Sequence, residues 1–296
     1  MLAAVTAVSS AAVVILLAAP LAALTIAGGR VAVTGVGLLA VGRRRLDRTW
    51  ATVRRELASR TALAAALLAV HFGTWIASLS MTTVVRSVTF VATQPLLAGL
   101  LARALGDRVS WRLYAGGAVA VVGTAVMIGG ASEVAGPQAV WGDVLAVVAA
   151  AAAAGYLAVG RSVRAHVDLA GYLAFVHLGA AALLGLTIVA FGLPLANAPA
   201  QTQDWLAIVY LGLVPGVIGH GLLNWAVRHL PVHTVSLAIL LEPLGATALA
   251  VVVLDRTVAG AEILGAAIIL VGVGLGLAKA RSTVDAAPGA RRRPST

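Results

Sequence analysis

The sequence predicts an all-α membrane protein of ten transmembrane helices, arranged as two inverted five-helix repeats. Three observations predict it: the hydropathy of the chain, an internal repeat spaced by 148 residues, and the placement of Arg and Lys. Of the 296 residues, 60% are hydrophobic and 11% are charged. A soluble domain carries roughly 25% charged residues. The apolar residues also fall in long runs near the ~20 residues that cross about 30 Å of hydrocarbon. Read in order, these runs place spans at about 2–19, 21–41, 62–80, 84–105, 112–130, 141–160, 170–192, 205–227, 232–254 and 260–279.

The repeat lies in the fourth and ninth spans and the segments that follow them. Pro95, Asp107-Arg108 and Gly117 recur as Pro243, Asp255-Arg256 and Gly265. Nine of the 24 positions from 95 to 118 match their partners, and the Pro, the Asp-Arg pair and the Gly lift this above chance in a chain rich in Ala and Leu. A duplicated membrane unit points to a substrate site at the interface of the two copies.

The basic residues test the span count. With the N-terminus in the cytoplasm, 18 of the 21 Arg and Lys residues fall on the cytoplasmic side, leaving Arg30, Arg86 and Arg256. That is the positive-inside pattern, and it puts both termini in the cytoplasm of a cell-membrane protein. A unit with an odd number of helices must insert the second time in the opposite sense. The expected organisation is therefore a first repeat over 1–131, an inverted second over 132–281, and a disordered, basic cytoplasmic tail over 282–296. Residues 1–19 lack a basic n-region, so a cleaved signal peptide is not expected.

Several function classes are excluded. The net charge of +10 sits between apolar runs, where it sets orientation, so no nucleic-acid partner is expected. With no Cys, there is no disulfide, thiolate metal site or cysteine nucleophile. No Walker A, HExxH or G-x-S-x-G sequence occurs, and neither cofactor nor metal is expected.

Polar groups at bilayer depth are costly, about 2.5–3.5 kcal/mol for a central charge on insertion scales. The few that remain are candidates for function. Glu242 lies mid-span before Pro243, and Gln94 holds the equivalent place before Pro95. A carboxyl beside a proline kink can bind a cation, a proton or an amine. His71, Trp75 and Ser78 share one face of the third span, and His220 and Asn224 one face of the eighth, followed by Trp225. An imidazole titrates near neutral pH, and a Trp face stacks on cations or aromatic groups. His71 joins Glu242 as a candidate for proton or ion coupling. Arg30 is a buried charge, expected to pair, with Glu242 as one partner, or else to sit nearer the outer surface. Pro95, Pro215 and Pro243 are expected to kink their helices. Asp107 and Asp255 are read as capping and pairing with the adjacent Arg. Gly272 and Gly276 form a helix-packing motif, and Gly116, Gly117 and Gly123 a small-residue face, both for internal packing.

The stretch His71-Phe72-Gly73-Thr74-Trp75-Ile76-Ala77-Ser78-Leu79, running to Gln94-Pro95, resembles the third and fourth helices of the EamA-type drug/metabolite transporter (DMT) superfamily. Gly219-His220-Gly221-Leu222-Leu223-Asn224-Trp225, with Leu241-Glu242-Pro243 and Gly265, is similar to its later helices. Asp107 and Asp255 stand where that family usually has Glu. The resemblance implies a central cavity lined by helices three, four, eight and nine, with contributions from one and six. It puts His71, Trp75, Gln94, His220, Asn224 and Glu242 near the pathway.

The resulting expectation is a secondary active transporter exporting small metabolites, amino-acid-like or amphipathic, by alternating access. Its partners would be a small-molecule substrate and the lipid bilayer, with a homo-oligomer as an option. Two rivals stand beside it: an intramembrane enzyme using a buried His as base, and a non-transporting sensor or scaffold.

Overall fold

The computed structural model of the protein describes residues 1–18, 20–42, 46–82, 84–107, 109–128, 137–164, 167–242, 244–245, 248–249, 252 and 260–277. Among these residues the chain is helical, with one isolated antiparallel bridge between Leu21 and Ala196. The expectations for Arg108, Pro243, Asp255, Arg256 and the tail fall outside the described residues, as does the side chain of Arg86.

Five helices are long and apolar enough to cross a membrane: Ala23–Gly42, Ala58–Ser78, Gln138–Arg161, Leu169–Ala190 and Thr202–Ala226. Shorter apolar helices cover Leu2–Ile15, Trp111–Val126 and Ile263–Leu277. We number the helices α1 (Leu2–Leu17), α2 (Ala23–Gly42), α3 (Leu46–Thr52), α4 (Ala58–Ser78), α5 (Val84–Val91), α6 (Gln94–Ala104) and α7 (Trp111–Ile128). The second half has α8 (Pro137–Arg164), α9 (Leu169–Ala190), α10 (Thr202–Leu211), α11 (Gly221–Ala226), α12 (Val232–Ile239) and α13 (Gly260–Leu277). Wide π-helical turns at Gly212–His220 join α10 and α11 into one rod.

Two predicted spans are not continuous. The span expected over 84–105 breaks at Ala92 and Thr93, between α5 and α6. The Thr93 hydroxyl donates to the Phe90 carbonyl at 2.6 Å, and Pro95 sits in the first turn of α6. Pro95 thus starts a helix rather than kinking one, since a missing N–H costs nothing in the first turn. The span expected over 232–254 breaks in the same way: α12 ends at Ile239, and Leu240 and Leu241 form a turn before Glu242. The two breaks are separated by the same 148 residues as the sequence repeat.

Pro215 lies within the π-helical stretch, where its ring displaces the regular backbone ladder. The Thr34 hydroxyl on α2 lies 2.8 Å from the Arg30 carbonyl and 2.9 Å from that of Gly212, so its proton serves both strands of this contact. Gly212 and Gly216 present no side chain there, which lets the π segment lie directly on Val33 and Thr34.

The packing follows a pattern. The strongest pairs are α7 with α13, α4 with α8, and α2 with α9. The Gly212–His220 segment packs on both α1 and α2, α6 packs on both α8 and α12, and α4 also meets α9. Small residues make the closest pair possible. A side chain at Gly116 would strike the backbone of Gly272 and Gly276, and one at Gly123 would strike Ile269 and Gly265. The glycine faces therefore serve packing inside the chain, between α7 and α13.

Contacts between connecting segments join stretches expected on the same face of the membrane. The Ala22 amide donates to Leu195 at 3.0 Å and the Asn197 amide to Pro20 at 2.8 Å. Thr82 donates to Asp143 at 3.0 Å. On the other face, Asp107 and Arg161 approach to 3.6 Å, and Arg228 donates to the Val167 carbonyl at 2.5 Å. Asp107 therefore pairs across the halves with the end of α8, while the expected pairing with Arg108 falls outside the described residues.

Candidate functional site

The helices enclose a cavity of about 80 Å³. Its walls come from both halves: Val8 and Ala11 of α1, Arg30 of α2, and Leu68, His71, Phe72 and Trp75 of α4, with Val91 of α5 and Gln94 of α6. Opposite stand Ala153, Tyr156 and Leu157 of α8, His220 and Leu223 of the long rod, and Ile239 and Glu242. Such a volume holds a few waters, while drug-sized ligand pockets run to roughly 300–1,000 Å³.

Gln94 and Glu242 each border the cavity just past a helix break. The Gln94 amide approaches the hydroxyl of Ser236 on α12 at 3.4 Å, a polar link between the halves. Ser9 of α1 donates to the Glu242 backbone carbonyl at 3.1 Å, which ties α1 to the residue just past the break.

His71 is 8% exposed, and its Nδ1 lies 3.0 Å from the Ala149 carbonyl of α8. A carbonyl only accepts, so Nδ1 carries the hydrogen, and Nε2 is the atom left for a ligand or proton. Trp75 stacks on His71 at 6.1 Å between ring centroids, and its indole N–H is buried without a partner. Phe72 meets His220 edge-on at 5.5 Å.

Arg30 departs from both expectations for it. It is 2% exposed, so it does not lie near the surface, and among the described residues it forms no ion pair with Glu242. Its guanidinium lies over the Phe72 ring at 4.3 Å, and Nη1 has no hydrogen-bond partner.

Other predicted residues lie beside the cavity rather than on it. The Ser78 hydroxyl is taken up by the Trp75 carbonyl at 2.7 Å and by Ser87 at 2.5 Å. Asn224 donates to the His220 carbonyl at 2.8 Å and accepts from the Tyr156 hydroxyl at 3.0 Å, which ties the rod to α8. Trp225, which follows Asn224, is 55% exposed and packs on His229 at 4.8 Å. Sequence reasoning missed Tyr156 and Ser236. Tyr156 interrupts a run of seven small residues, Ala149–Gly155, and that interruption was the available signal.

These features define a multi-pass membrane protein with a largely apolar cavity, carrying a few polar side chains, at the junction of its helices. Residues 140–277 match the model described as the EamA-like transporter family, which places that stretch in the EamA/DMT superfamily of membrane transporters. A solved crystal structure is similar in fold, with a TM-score of 0.78 and 23% identity, covering 94% of this chain and 96% of the other. No curated protein matches the sequence. The family is one of transporters rather than enzymes, and its partners are a small-molecule substrate and the bilayer.

Proposed function

We propose that this protein is a secondary active exporter of small metabolites, in which two inverted five-helix halves, 1–131 and 132–281, rock around the cavity. The observation that carries this reading is the pair of discontinuous helices. Both break within two residues of a polar-Pro pair, at equal spacing in the two halves, and both polar residues border one cavity. Broken helices at a repeat interface are how membrane transporters expose polar backbone to a substrate.

The cavity residues His71, Trp75, Gln94, His220 and Glu242 form the substrate site in this reading, with Ser78 and Asn224 bracing its walls. Glu242 is the coupling group, exchanging a proton as each half opens. The Arg-rich face is cytoplasmic, and both termini lie there. The Asp107–Arg161 pair, joining the halves on that face, closes the cytoplasmic entrance. Each partner is about half exposed, with side chains 50% and 51% accessible. Such a pair is worth at most about 1 kcal/mol, weak enough to break in every cycle.

The test is flux. Purified protein is screened by ligand-induced thermal shift against amino acids, purine metabolites and cationic amphiphiles, and the hits are assayed in proteoliposomes. The expected result is saturable, gradient-dependent movement of at least one hit. Turnover of a hit into product without a membrane, or no flux of any hit, would defeat the proposal.

A further inference from the structure

We infer that Arg30 is the anion-binding group of this cavity, and that the ligand is a compact zwitterion with a free carboxylate. The inference rests on the reading of the cavity as the substrate site and narrows its substrate class. The guanidinium is almost fully buried, and among the described residues no carboxylate lies within ion-pair distance of it. Its Nη1 is buried with no hydrogen-bond partner, yet the side chain borders the cavity. Desolvating an unpaired cation costs several kcal/mol, and Arg cannot shed its proton to escape that cost.

The Phe72 ring, 4.3 Å away, offsets part of this cost and holds the planar group in place. A ring face accepts no in-plane hydrogen bond, so the edge of the guanidinium stays available. A carboxylate fits that edge with two parallel N–H···O bonds. Glu242 borders the same cavity without pairing to Arg30, so the site presents separated charges of opposite sign. A zwitterion satisfies both. A lipophilic cation would face the guanidinium with no counter-charge, which selects against the cationic amphiphiles that Glu242 alone would admit.

The experiment compares matched ligands on full-length protein in detergent. The twenty common amino acids are titrated by calorimetry, each beside its methyl ester, which keeps the amine and removes the carboxylate. At least one acid is expected to bind, with its ester weaker by tenfold or more. Arg30→Gln should lose the preference of acid over ester, and Arg30→Lys should keep it at reduced affinity. If Arg30→Gln does not fold, the comparison on the wild-type protein decides. Esters binding as well as acids, an unaltered preference in Arg30→Gln, or no carboxylate-dependent binding at all would overturn the assignment. Flux of cations with acids excluded would sink Arg30 as anion site and leave the transport reading standing. Acid binding without flux would do the reverse.

Discussion

Gly272→Leu will not give a stable, monodisperse protein, whereas Gly274→Leu, two residues along the same helix, will behave as wild type. The contrast follows from the α7–α13 contact. A Cβ at Gly272 would lie 2.5 Å from the Ala120 nitrogen and 2.6 Å from the Gly116 carbonyl oxygen. These are backbone atoms of a packed helix, so no side chain can swing aside. At Gly274 a Cβ meets nothing within 4 Å. Overpacking a filled interface costs about 1–3 kcal/mol, and here the helices must separate along their whole length. Even Gly272→Ala should lose about 2 kcal/mol, although alanine favours a helix by up to about 1 kcal/mol over glycine. Thermal unfolding midpoints of these three variants and of Gly274→Ala, in one detergent, check this. Equal midpoints for the 272 and 274 series would mean that α7 and α13 do not pack as described.

Glu242→Gln will abolish proton-driven transport while leaving the fold intact. The tolerance has a specific ground: Gln94 occupies the equivalent place in the first half, so the variant restores a matched pair of amides. Ser9 holds the residue through its backbone carbonyl, which the substitution does not alter. What disappears is the group proposed to take up and release a proton. Transport driven by a pH gradient should fall at least tenfold, about 1.4 kcal/mol in effective driving interaction, and its pH dependence should flatten. Exchange of substrate for substrate across the same membrane needs no net proton and should persist. Loss of both, with the protein still folded, would assign Glu242 to substrate binding alone.

The long helices were legible from sequence because each coincides with its own apolar run. Ala58–Ser78 and Leu169–Ala190 lie close to the predicted 62–80 and 170–192. The interrupted helices were half legible. Pro95 marked the place, but the turn depends on the Thr93 hydroxyl closing back on Phe90. Side-chain direction was less accessible, since it is set by partners far along the chain. His71 is fixed by Ala149, and Gln94 meets Ser236. Asn224 was rightly singled out as buried and polar, but its partner Tyr156 takes it out of the cavity wall. Trp225 follows the π-helical turns of the long rod and lies exposed, away from the cavity. Arg30 was visible as a buried charge, and only the packing on Phe72 shows how it is held.

Alternating access makes a prediction that needs no knowledge of the substrate. The chain has no native cysteine, so Val91→Cys places a single thiol on the cavity wall. Its modification by a membrane-impermeant reagent is measured from each face, in right-side-out and inside-out vesicles. Adding Asp107→Arg turns the attraction to Arg161 into repulsion and opens the cytoplasmic side. Labelling from the cytoplasm should then rise while labelling from outside falls. Labelling that rises from both faces, or from neither, would contradict two halves that open the cavity to one side at a time.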